Sequence, residues 1–367
     1  MIGQAKTAEA PDTPEAPDTA EGGRDARRVY LGTYTDAGGL GIVSARADGS
    51  GALTVEDALG AVPRPSWLAA APGGRLLYAA SEVEDGQVAA LAIGDDGSLR
   101  ELGRQSAHGD SPAHLSLHPG GRFLLSASFF GGNLAVHPIG PDGAPLPASD
   151  VVRHTGSGPH PDQASPHPHQ ILTDPWGRYV LVADLGTDTV HTYRLDLGSG
   201  RLRPRSRARL RPGAGPRHLA FHPDGRTFYV AAELDSTVTV CSYDPHSGRV
   251  RPGQVVPTVP AGTTGANHPG EILVSPDGRH VFCTNRGHDS VAVFTTSAGG
   301  RALSLTGTVP CGGTWPRHME FADGGRLLYV ANQMSGTVAA FRVEGARLTP
   351  AGAPLVTPSP VCVRPRF

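Results

Sequence analysis

The stretch GPRHLAFHPDGRTFYVAAELDSTVTVCSYD, Gly215–Asp244, decides the fold. It opens on Pro-Arg-His and a short run that alternates apolar and polar residues. His-Pro-Asp-Gly-Arg follows, a turn in which Pro presets φ and Gly accepts a positive φ. Arg226–Asp244 then contains neither Gly nor Pro. That run is rich in Val, Thr and Tyr, and Glu-Leu-Asp-Ser breaks it in the middle, so it reads as two strands rather than one helix. One short strand, a tight turn and two longer strands make up the pattern.

The pattern recurs along the chain. The copies are PSWLAAAPGGRLLYAA (65–80), PAHLSLHPGGRFLLSA (112–127), PHQILTDPWGRYVLVA (168–183), PRHLAFHPDGRTFYVA (216–231), PGEILVSPDGRHVFCT (269–284) and PRHMEFADGGRLLYVA (316–331). Their turn arginines, Arg75, Arg122, Arg178, Arg226, Arg279 and Arg326, are 47, 56, 48, 53 and 47 residues apart. A third strand such as LGTDTVHTYRL or GHDSVAVFTT follows each, and a looser fourth precedes the next copy. Four short strands in a repeat of this length predict a β-propeller blade. VYLGTYT and GIVSARAD near the start and SPVCVRPRF at the end supply strands for one more. The expected fold is therefore all-β, a seven-bladed propeller of four-stranded antiparallel blades, the last closed by both chain ends. Residues 29–367 form that domain. Residues 1–28, rich in Ala, Pro, Glu, Asp and Thr, read as a disordered leader.

Composition narrows the function. Gly and Pro fill 83 of 367 positions, which leaves little room for long helices. Lys+Arg number 32 against 34 Asp+Glu, and the chain beyond residue 28 is balanced, so a nucleic-acid partner is not expected. The arginines read as coding bias rather than as a patch. No apolar run is long enough for a membrane span. The start lacks the charged-then-apolar pattern of a signal peptide, which points to the cytoplasm. Cys241, Cys283, Cys311 and Cys362 form no CxxC and read as buried thiols. A P-loop, a GxSxG elbow, HExxH and the WD dipeptide are all missing, and GGLGI (38–42) lacks the strand–turn–helix context of a dinucleotide site. His154, His160, His167 and His169 form a His- and Pro-rich segment that reads as a solvated loop rather than a metal site. No metal or cofactor is expected. Nothing specifies an oligomeric state.

A repeat carries its own control: structural positions agree between copies, and a site lies where equivalent positions diverge. Nine residues before each turn arginine stand Ser66, Ala113, His169, Arg217, Gly270 and Arg317. The next column holds Trp67, His114, Gln170, His218, Glu271 and His318. Seven residues after the arginine stand Glu82, Phe129, Leu185, Glu233, Arg286 and Gln333, preceded in the fifth copy by Asn285. The first columns open strand one and the last follow strand two, so all fall at one end of the blade. Innermost strands line a propeller's channel. His169, Arg217, Glu233, Arg286 and Arg317 are expected around one polar mouth, the default place for an active site. Asp184, Asp188, Asp235 and Asp289 read as turn braces.

These residues also carry a family likeness. YLGTYT (30–35), HPHQ (167–170), GPRHLAFHPDGR (215–226), ELDSTV (233–238), NRGHDSVAVF (285–294) and WPRHMEF (315–321) resemble the lactonase family of seven-bladed propellers, the bacterial 6-phosphogluconolactonase type, itself similar to carboxy-muconate lactonising enzymes. The resemblance implies a lactone hydrolase of carbohydrate metabolism, in the pentose phosphate pathway, acting on a small acidic lactone or sugar phosphate. It implies His169, Arg217, Glu233 and Arg286 as the catalytic set. Arg317, His218, His318 and Asn285 are expected as substrate contacts. Cyclisation of a muconate and a non-catalytic binding propeller are the alternative functions.

Overall fold

A computed structural model describes residues 27–366. The Pro-x-Gly-Arg turns fold as their chemistry dictates. The glycine before each turn arginine has a positive φ, between 63° at Gly225 and 90° at Gly325. The chain reverses there, and the strands on either side pair antiparallel. In the fourth copy Pro216–Phe221 pairs Thr227–Ala232, which pairs Thr237–Asp244, which pairs Arg249–Pro257. Seven such sheets form. We number the blades by their innermost strands: Pro65–Ala70, Pro112–Leu117, Pro168–Thr173, Pro216–Phe221, His268–Val274, Pro316–Ala322 and, for blade 7, Pro360–Pro365. Blade 7 takes its other three strands, Arg28–Thr33, Gly41–Ala47 and Leu53–Leu59, from the opposite end of the chain. Helix among the described residues is limited to short 3₁₀ turns, and no helix is long and apolar enough to cross a membrane.

Strands buried on both faces need neighbours on both faces. Seven apolar clusters supply them, one at each junction between adjacent blades. Second-strand tyrosines pin the junctions. Tyr30, Tyr78, Tyr229 and Tyr329 are fully buried, and each hydroxyl donates to a glycine carbonyl of the next blade: Gly97, Gly143, Gly300 and Gly51, at 3.3, 2.9, 2.6 and 2.9 Å. A large apolar ring is thereby buried without stranding its polar tip.

Three expectations need adjustment. The propeller begins one residue earlier than the composition shift suggests: Arg28 lies in the first strand, buried, 3.3 Å from Glu56. Residues 1–26 of the expected leader lie outside the described residues. The arginines do gather. Arg201, Arg203, Arg205, Arg207 and Arg209 alternate along the outermost strand of blade 3 and are all exposed. The strand is bulged at Arg205, so the arginines fall on both of its sides, Leu202 packing toward blade 2 and Ala208 toward blade 4, and their charge discourages this edge strand from pairing with another sheet. Among the turn braces, Asp188 and Asp289 adopt positive φ, but in blade 4 the left-handed residue is Ser236, one past Asp235. All four cysteines are buried and free.

Candidate active site

Each innermost strand carries a β-bulge near its start. In blade 4 the register jumps between Pro216 and His218, so Arg217 is the extra, unpaired residue. The same jump brackets Ser66, Ala113, His169 and Arg317 in blades 1, 2, 3 and 6, and Val361 in blade 7. In blade 5 it falls between Pro269 and Ile272. A bulge bends the strand and re-aims its side chain. The divergent sequence column is thus the bulged position, turned toward the channel.

At that mouth Glu233 sits between two guanidiniums. Its Oε2 lies 2.7 Å from Arg286 Nη2 and 3.1 Å from Arg217 Nε, the latter out of line for a hydrogen bond. Arg286 is held further by donation to the carbonyls of His268 and Pro269, and its guanidinium faces the Trp315 ring at 5.8 Å. Arg217 is 2% exposed, and its Nη1 has no hydrogen-bond partner among the described residues. Across the mouth Arg317 Nη2 lies 3.5 Å from Glu82, which also accepts from the Tyr34 hydroxyl at 2.5 Å. Three guanidiniums therefore face two carboxylates.

His169 is buried beside them. Its Nδ1 is 3.1 Å from His218 Nε2, and its ring meets Phe129 edge-on. Behind it, His218 Nδ1 is 3.0 Å from both oxygens of Glu271, and His318 Nε2 is 3.4 Å from Glu271 Oε2. His114, Trp67, His218 and His318 pack their rings against one another across the channel. Beyond this layer a cavity of about 420 Å³ opens toward the other face, lined by Leu117, Leu172, Leu273, Glu320 and Arg364.

Burial and charge set the protonation states. Burial and then Arg217 hold His169 well below the usual histidine range. Burial alone would raise the Glu233 carboxyl, but Arg286 and Arg217 outweigh it and hold the group below its ordinary value. Burial, with Arg286 beside it, brings Arg217 down to about 9, so it stays a cation at neutral pH.

The chain matches the model of the lactonase family of 7-bladed beta-propellers over residues 28–365. It belongs to that family. A 6-phosphogluconolactonase of Bacillus subtilis is 36% identical over 340 residues, 91% of this chain and 97% of that protein. A 6-phosphogluconolactonase of Pectobacterium carotovorum is 34% identical, covering 75% of this chain and 79% of its own. Among solved structures, the periplasmic gluconolactonase of Pseudomonas aeruginosa superposes with a TM-score of 0.86 at 30% identity, over 92% of this chain and 98% of that one.

In this lactonase-family propeller the mouth gathers His169, Arg217, Glu233, Arg286 and Arg317. His218 and His318 lie one layer deeper. Asn285, expected as a substrate contact, meets a different geometry. Its Nδ2 donates to the Thr258 carbonyl at 2.9 Å and Ser290 Oγ at 3.2 Å, and its Oδ1 accepts from Asn267, so the amide braces a loop. The four loop histidines part company. His154 bridges Asp184 and the Tyr193 hydroxyl, His160 caps a 3₁₀ turn, His167 stacks on Phe129, and only His169 reaches the mouth. His154, Asp184 and His191 do stand within metal-ligand reach of one another, but both His154 nitrogens are engaged, by Asp184 and Tyr193. Sequence reasoning passed over Tyr34, Glu82 and Glu271. Glu82 and Glu271 stand in the columns that yielded Glu233 and His218. Tyr34 belongs to blade 7, which has no turn to align it.

Proposed function

We propose that this protein hydrolyses the lactone ring of a sugar acid to the open hydroxy acid, as a 6-phosphogluconolactonase does. The observation that carries the reading is the placement of a neutral, buried His169 near a buried Arg217 whose Nη1 has no partner among the described residues. A lactone needs a polarised carbonyl, an activated water and a proton for the departing alkoxide. Arg217 supplies a charged donor for the developing oxyanion. His169 takes the water proton as the water oxygen bonds the carbonyl carbon. It returns that proton to the ring oxygen as the ring C–O bond breaks. Glu233 fixes the two guanidiniums, its Oε2 engaged by Arg286 and held beside Arg217, which makes it an anchor rather than the base. Arg286 and Arg317 favour an acidic substrate, phosphorylated or carboxylated.

The test is pH-stat hydrolysis of 6-phosphogluconolactone, gluconolactone and muconolactone. Turnover of a sugar lactone supports the reading. Activity on muconolactone alone favours the lactonising alternative, and no turnover on any of them favours a binding propeller. A cytoplasmic location is proposed with it; the Pseudomonas relative is periplasmic, and cell fractionation separates the two.

A further inference from the structure

Hydrolysis as described leaves Glu271, His218 and His318 without a task, although all three are buried directly behind His169. We infer that Glu271 and His218 are positioning residues: through their hydrogen bonds they fix His169 with its proton on Nδ1 and a bare Nε2 for the water. This rests on the hydrolytic reading of the same site.

Hydrogen bonds decide the tautomers one by one. The Val363 N–H donates to His318 Nδ1 at 3.3 Å, so the His318 proton sits on Nε2, which lies 3.4 Å from Glu271 Oε2 as a charge contact. The Ile272 N–H donates to Glu271 Oε1 at 3.0 Å. With the Ile272 N–H bound to one oxygen and the protonated edge of the His318 ring near the other, Glu271 acts as a carboxylate acceptor. His218 Nδ1, at 3.0 Å from both oxygens, therefore donates to it. A neutral imidazole with its proton on Nδ1 has a lone pair on Nε2. His169 Nδ1, at 3.1 Å, must then be the donor to that lone pair. The remaining His169 nitrogen, Nε2, carries no proton and has no protein partner among the described residues.

Charge gives the arrangement its purpose. Arg217, Arg286, Arg317 and His218 all bear on His169 and disfavour its cation. Glu233 lies among the same arginines on the mouth side. Glu271 is the acceptor behind His218; burial raises its carboxyl, while His318, Arg217 and Arg364 around it favour the charged form. As Nε2 takes the water proton, the Nδ1–H bond to His218 strengthens and the positive charge is shared toward Glu271. When Nε2 gives the proton to the alkoxide, the chain of bonds relaxes to its starting state. Orientation of an imidazole by a buried carboxylate is worth about 10⁴ in rate where it sets the tautomer directly.

¹⁵N-histidine NMR at pH 7.5 reads the tautomer, with the His169 signals assigned by their loss in His169→Ala. Protonated Nδ1 and bare Nε2 in the wild-type protein are expected; a proton on Nε2 overturns the inference without any further variant. Glu271→Gln keeps the shape but removes the charge and adds a competing N–H donor. It should lower kcat on the sugar lactone about 10²-fold with KM within about threefold, move the acid limb of the pH profile lower, and mix the two tautomers. A Glu271→Gln rate within threefold of wild type overturns the positioning role. Absence of turnover by the wild-type protein overturns the hydrolytic reading instead, and the spectrum then decides the tautomer alone.

Discussion

A carboxylate flanked by two guanidiniums is a weak base. That is the lesson of Glu233 at the level of single residues. Its column drew attention because an acid stood where other blades carry Phe or Leu, but the structure spends that acid on Arg217 and Arg286. His169→Ala and Glu233→Gln are both expected to lose about 10²–10⁴ in kcat while keeping the wild-type circular dichroism spectrum, the first by removing the proposed base and the second by releasing the arginines. Wild-type rates in either variant contradict the corresponding role.

The pH dependence follows from the same groups. As the proposed base His169 must be neutral, and burial with Arg217 keeps its pKa well below about 6.5. Activity should therefore stay level as pH falls from 8 through the ordinary histidine range, and drop only in stronger acid. A limb centred at about 6.5 or higher contradicts a depressed His169. Stability behaves differently. Burial holds His114, His169, His218 and His318 below their unfolded value, so the unfolded chain takes up protons first as pH falls. Their contribution is intact above about pH 6.5 and is lost below it, by up to about 1.4 kcal/mol per pH unit for each group. The melting temperature should fall between pH 7 and 5, and less steeply in His169→Ala; equal slopes contradict this account.

Among elements, the turn and the bulge govern what a reader of the sequence can see. The turn is legible because only certain residues make it: Gly225 and its counterparts need positive φ, and that need repeats in every copy. The bulge is legible only by its consequence. His169, Arg217 and Arg317 differ from Ser66 and Ala113 because a bulged residue faces the channel and serves no common packing role. Val361 escaped notice because SPVCVRPRF has no turn to set its register. Glu271 escaped because a buried acid looks like a core anomaly until its imidazole partners are in place. Asn285 misled for the opposite reason: it lies beside Arg286 in sequence, yet alternation turns neighbours to opposite sides. Between blades, the tyrosine hydroxyls act as latches. Tyr229→Phe leaves the buried Gly300 carbonyl without its donor and should cost about 1–3 kcal/mol, read as a lower denaturation midpoint. An unchanged midpoint means the bond contributes nothing net.

For the whole molecule, closure is the controlling feature. Pro360–Pro365 is the innermost strand of blade 7 and packs against blades 6 and 1. Without it Arg28–Thr33 becomes a bare sheet edge beside an opened core. A protein lacking residues 360–367 should melt about 10 °C or more below wild type and lose its monodisperse size-exclusion peak. Retention of both contradicts the role given to closure. The same strand also reaches the active site, since the Val363 amide holds the His318 ring. Nothing sequence-local links Val363 to His169, so that dependence emerges only once the ring is complete.

A ribosome making this protein would release Val363 after His169, Arg217, Glu233, Arg286, Arg317 and His318 had already emerged. His318 cannot receive its amide hydrogen bond until then, so a nascent chain carries the arginines and imidazoles of the mouth before that contact can form.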